Sequence, residues 1–145
     1  MVVRRVFPGW SICIPRSFEE DFQEEDAYWH AWDARRSVSL TSFLLVDENG
    51  PVEQEALAAV LAPQGRGKPE SLPPGLAGWA VDGPTVQPAR ARRAISALLA
   101  TDGRVLLATI THEDLAWART ILASIRSHPV ALGEDLDEVE AAPVH

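Results

Sequence analysis

The sequence predicts an α+β fold: a single twisted antiparallel sheet of about 5–6 strands, with two main helices (51–62 and 112–127) packing on it. Three observations carry this expectation. Two apolar runs flank Asp102-Gly103, a pair that favours the tight type I′ hairpin turn. Trp10–Ile14 alternates with period 2, and Ser37–Val46 places Val38, Leu40, Leu44 and Val46 on one face of a strand. Apolar stripes with helical spacing occupy 51–62 and the stretch after Thr111.

Taken in order, Val2–Phe7 is a short apolar and basic run ended by a Pro8-Gly9 turn. In the strand that follows, Trp10, Ile12 and Ile14 share a face, and Pro15 stops it. Ser17–Asp26 holds six carboxylates in ten residues. Its Ser17/Glu20 spacing fits a capped short helix, and a solvated loop pinned by Phe18 and Phe22 fits as well. Tyr28–Asp33 and Ser37–Val46 read as an antiparallel hairpin, with Tyr28, His30 and Trp32 on one face and Trp29 on the other.

Asn49 or Gly50 is placed to cap a helix that starts at Pro51, with Val52, Ala56, Leu57, Val60 and Leu61 as its apolar stripe. The stretch 63–78 holds four prolines and four glycines in 16 residues and reads as a loop. Short extended segments at Trp79–Val81 and Thr85–Ala89 lead to the hairpin, whose Asp-Gly turn pairs Leu99 with Leu106, Ala97 with Ala108 and Ile95 with Ile110. Its second face, with Leu98, Val105 and Leu107, is apolar too and needs a cover. Thr111 is expected to cap the last helix, which Pro129 ends. Residues 1–130 are expected to form one domain, and 131–145 an acidic, disordered tail.

Composition narrows the function classes. A net charge of −8 disfavours nucleic-acid and anionic-membrane partners. The single Cys13 excludes an intrachain disulfide and a cysteine-cluster zinc site, and it reads as a structural cysteine. MVVRRVF lacks the apolar stretch of a secretory signal, and no run reaches the ~18 apolar residues of a membrane helix. A cytoplasmic protein is expected. No metal-ligand spacing, phosphate loop or nucleophile elbow occurs, so no catalytic residue, metal or cofactor is assigned. His112 reads as a surface residue of the last helix.

The element order, the Pro-Gly-Trp-Ser-Ile-Cys-Ile-Pro opening and the DGR-VLLATIT-HEDL passage from hairpin to helix resemble the PsbP/Mog-type α/β fold over about residues 7–129. Its bacterial relatives include DcrB-like proteins, LpqN-type lipoproteins and certain secretion-effector chaperones. The resemblance implies a binding or assembly role more than an enzymatic one.

The expected function is therefore a non-enzymatic protein-interaction module, such as a chaperone, assembly factor or homo-oligomeric binding protein. Its partner would be another protein or a second copy, met through Trp29, Trp32, Leu98, Val105 and Leu107. The alternative is a small-molecule or catalytic pocket around Trp29, His30 and Trp32. Arg35, Arg36, Arg90 and Arg92 are candidates for anchoring an anion.

Overall fold

A computed structural model describes residues 1–44, 46–47, 50–51, 67–84, 93–101 and 103–129. Most of these residues are in strands. β1 (Val2–Phe7), β2 (Trp10–Ile14) and β12 (Arg126–Ser127) form a three-stranded antiparallel sheet in the order β1-β2-β12. A seven-stranded antiparallel sheet runs β3-β4-β5-β11-β10-β9-β8. Its members are β3 (Glu19–Gln23), β4 (Tyr28–Trp32), β5 (Ser37–Leu44), β8 (Lys68–Pro69), β9 (Ala77–Pro84), β10 (Arg93–Thr101) and β11 (Arg104–His112). β6 (Val46–Asp47) and β7 (Gly50–Pro51) pair as a small separate ladder. Among the described residues there is one α-helix, α1 (Leu115–Ala123).

This overturns the expected single sheet of 5–6 strands with two helices. Among the described residues, ten strands divide between two sheets, and the fold is mostly β. Three local readings account for the difference. Ser17–Asp26 is neither helix nor loop: Glu19–Gln23 pairs residue for residue with β4, and a 3-10 turn at Glu24–Asp26 carries the chain over. Pairing with β4 overrides the poor strand propensity of this segment. The last helix is far shorter than 112–127, because β11 continues through His112 and Asp114 caps the helix, its side chain accepting from the Ala116 N–H at 3.0 Å. Arg126–Ser127 then returns to the extended state beside β2. Gly50–Pro51 is extended rather than the start of a helix, and residues 52–62 lie outside the described residues, as do 85–92 and 130–145. The strand expected at 79–81 spans Ala77–Pro84, so the loop expected at 63–78 yields Lys68–Pro69 to β8 and Ala77 and Gly78 to β9.

The central hairpin is as expected. β10 and β11 pair Leu99 with Leu106, Ala97 with Ala108 and Ile95 with Ile110, and the alternate set Leu98–Leu107 and Ala100–Val105 is also in place. Gly103 sits at φ +77° in the turn, where the left-handed backbone favours glycine.

The main core lies between the two sheets. Trp10, Ile12 and Ile14 from β2 meet Trp29, Ala31, Val38, Leu40, Ile95, Leu99, Leu106 and Ile110 from the larger sheet, and α1 adds Ala118, Ile121 and Leu122. Each fully buried Leu, Ile or Trp contributes on the order of 2 kcal/mol of transfer free energy. On the opposite face of the larger sheet, Leu98, Ala100 and Val105 form a second buried cluster with Phe43 and Trp79 against it.

Candidate functional site

The pleat of β4 sends Trp29 and Ala31 into the core and leaves Tyr28, His30 and Trp32 on the outer face of the larger sheet, each half-buried. The three rings form a ladder. The His30 ring lies 6.2 Å from that of Tyr28 and stacks on Trp32 at 4.8 Å with an interplanar angle of 28°. The Tyr28 hydroxyl donates to Ser39 Oγ at 3.3 Å.

Register extends the surface across the neighbouring strands. Ser37, Ser39 and Thr41 of β5 stand opposite Trp32, His30 and Tyr28, and beyond them come Thr111, Thr109 and Leu107 of β11. Leu107 is 38% exposed. At the other border Asp21 pairs with His30 and Glu19 with Trp32. Partial burial lowers the His30 pKa, and the negative charge of Asp21 opposes this without reversing it, so the ring is neutral near pH 7. The result is a face of neutral rings and hydroxyls bordered by carboxylates.

This placement divides the residues expected to bind a partner. Trp32 and Leu107 share the accessible outer face. Trp29 is in the core, and Leu98 and Val105 are sealed in the second cluster, so these three offer no surface. A pocket around Trp29, His30 and Trp32 does not exist as expected, because Trp29 lies on the far side of the sheet from the other two.

The expected arginine strip is not assembled either. Both Arg35 and Arg36 donate backbone N–H groups to Asp33 Oδ1, at 2.8 and 2.7 Å, closing the turn between β4 and β5. The Arg36 guanidinium forks onto Asp33 Oδ2 at 3.2 and 2.8 Å and lies over the rings of Phe18 and Trp117, 5.3 and 4.5 Å from their centroids. It is a structural clamp. Arg90 and Arg92 lie outside the described residues.

Three polar clusters went unforeseen. In the first, Asp82 Oδ1 accepts from His112 Nε2 at 2.8 Å, and Oδ2 accepts from Arg93 Nε and Nη2 at 3.0 and 2.8 Å. Asp82 and His112 are both buried, which corrects the expectation of a surface His112. Burial pushes the Asp82 pKa up, but the hydrogen bonds and charges of His112 and Arg93 outweigh it and hold the carboxyl below its ordinary range. In the second, Arg119 of α1 grips Glu70 through Nε at 2.5 Å and Nη2 at 3.2 Å. This pair lies on an open pocket of about 390 Å³, and it ties the segment after β8 to the helix. In the third, Ser11 Oγ lies 2.7 Å from His128 Nε2.

Among the described residues no cluster of three metal-ligating side chains occurs. Among them, too, no helix is long and apolar enough to cross a membrane.

No protein-family model and no curated protein matches the chain. Among solved structures it is similar to a crystal structure from Bacteroides thetaiotaomicron VPI-5482, at 12% identity and a TM-score of 0.61 over 88% of this chain and 49% of that one. The chain thus spans about half the length of that protein. It is also similar to LpqN, described as involved in cell envelope biogenesis of Mycobacterium tuberculosis, at 14% identity and a TM-score of 0.51 over 84% of this chain and 86% of that one. At such identities the likeness is one of fold. It supports a distant structural relationship to LpqN and does not extend to the PsbP, Mog or DcrB names.

Proposed function

We propose that this chain is a non-enzymatic protein-binding module whose docking face is the Tyr28–His30–Trp32 ladder with Leu107 and the hydroxyl rows between them. The ladder itself carries the reading. Three rings along one strand, His30 stacked on Trp32 and tilted against Tyr28, present a continuous aromatic surface, and Tyr and Trp on such surfaces are the side chains that anchor interfaces. Glu19 and Asp21 beside the rings, on a chain of net charge −8, suit a partner segment bearing arginine or lysine, which could stack on Trp32 and meet the carboxylates. LpqN has a role in cell envelope biogenesis, and the shared fold makes envelope-assembly proteins the first place to look for the partner.

The test is a photo-cross-linking side chain placed at exposed Thr109, used in cells and read by mass spectrometry. One defined adduct to a basic segment of another protein is expected. Trp32→Ala is expected to weaken the interaction by about 30-fold, the ordinary cost of losing an aromatic anchor. Absence of any adduct, or an adduct that survives Trp32→Ala at full yield, would refute the reading.

A further inference from the structure

Seven of the described arginines fall into two sets by what they do or do not pair with. Arg4, Arg36, Arg93 and Arg119 each pair with a carboxylate: Glu20, Asp33, Asp82 and Glu70. Arg5, Arg104 and Arg126 have no carboxylate partner among the described residues, and all three approach the Ser11–His128 pair.

Three strand segments and one chain reversal bring them there. Arg5 of β1 and Arg126 of β12 are the register partners of Ser11 on either side of β2. His128 is held by its backbone N–H, which donates to Gly9 O at 2.7 Å, and by Ser11 Oγ at its ring Nε2. Arg104 Nη1 donates to the carbonyls of Gly9 and His128, at 3.3 and 3.2 Å, while its guanidinium lies over the Trp10 ring at 5.6 Å. Its Nε and Nη2 make no hydrogen bond to a described residue. Arg126 Nη1 is occupied by the carbonyls of Ala123 and Ile125. Arg5 is exposed and makes no hydrogen bond to a described residue.

Gathering these guanidiniums around an imidazole, with no carboxylate among the described residues paired to them, is electrostatically unfavourable. The imbalance shows in His128: burial first, then the charges of Arg5 and Arg104, hold its pKa below the usual imidazole range. A bound anion would remove the repulsion and offer oxygens to several donors at once. Guanidinium forks match the oxygen spacing of a phosphoryl group.

We propose that Arg5, Arg104 and His128 form a binding site for a phosphoryl group, with Ser11 as the positioning residue that fixes the imidazole. Two sources share this chemistry, a free phosphate or phosphomonoester and the headgroup of an anionic phospholipid. Ser11 lies mid-strand, between Trp10 and Ile12, whose side chains point into the core, so the pleat turns its hydroxyl to the opposite face, where it meets His128.

The experiment is a titration of the full chain with inorganic phosphate at constant ionic strength, followed by amide and imidazole NMR shifts. Saturable shifts at Ser11 and His128 are expected, together with an upward move of the His128 pKa. Arg5→Gln is expected to weaken binding about tenfold, and Arg104→Gln by at least as much. Arg16→Gln, an exposed change elsewhere, is expected to leave it unchanged. Because Arg104 also braces two carbonyls, Arg5→Gln keeps the test decisive if the Arg104 variant does not fold. Co-sedimentation with phosphatidic acid vesicles, against phosphatidylcholine vesicles, separates the sources: Arg5-dependent vesicle binding indicates a headgroup, and phosphate binding without it indicates a soluble ligand. No saturable shift and no vesicle binding, or binding indifferent to Arg5→Gln, would overturn the proposal.

Discussion

Gly78→Ala is expected to cost more than about 4 kcal/mol, enough to leave much of the protein unfolded at 25 °C. Gly78 lies in β9 at φ +129°, a backbone region that side-chain-bearing residues do not enter without strain. A Cβ there would stand 1.8 Å from the Leu98 carbonyl oxygen and 2.8 Å from its carbon. Both are backbone atoms of β10, so no rotamer change can make room. The sheet would have to break the β9–β10 ladder where it carries Leu98 and Ala100 of the second core. Urea unfolding of the purified variant measures the effect, and a loss below about 1 kcal/mol would show that this approach is not obligatory. Gly75→Ala is the control. That glycine also has positive φ (+78°), but nothing lies within 4 Å of the added atom, so only the backbone cost of about 1 kcal/mol is expected.

Asp82→Ala is expected to destabilise the fold by about 3 kcal/mol at neutral pH. The carboxylate is the shared acceptor for His112 and Arg93. Without it the buried His112 has neither ring nitrogen partnered by a described residue, since Nδ1 already has no partner among them. The Arg93 side chain is 53% exposed and can turn to water, which keeps the cost below that of a fully buried ion pair.

The same carboxylate predicts an acid dependence. Its pKa is lower in the folded chain than in the unfolded one, so its stabilisation is complete above the unfolded carboxyl pKa. It is lost as pH falls through the depressed folded value. Asp33, held down against the pull of burial by hydrogen bonds from Arg36 and the Arg35 backbone, adds to the loss in the same direction. Urea midpoints of wild type and Asp82→Ala should therefore converge as pH falls below the carboxylate range. A gap that stays constant down to pH 2 would assign the loss to packing instead of charge.

How far the sequence could be read depended on whether a signal was local. The β10–β11 register was legible because a two-residue turn dictates it from inside the segment. The face alternation of Tyr28–Trp32 was legible for the same reason. Glu19–Gln23 was not, because nothing in its own residues favours a strand and its partner strand imposes the state. The shortened last helix and the buried His112 had a local signal that went unused: Leu106, Ala108, Ile110 and His112 continue one inward face past the Thr111 taken as a cap. The Ser11–His128 contact joins residues 117 apart, and no period or spacing reports such a pair.

That long span sets a clock on synthesis. β2 cannot gain β12 as a neighbour until the chain has been made as far as Ser127, and at roughly 5–20 residues per second the interval after Ser11 appears is about 6–23 s. Until α1 and the later strands of the larger sheet are made, the core face of Trp10, Ile12 and Ile14 is only partly covered. The newly made β1–β2 hairpin thus carries an apolar face whose neighbours are completed only when the chain reaches Ser127.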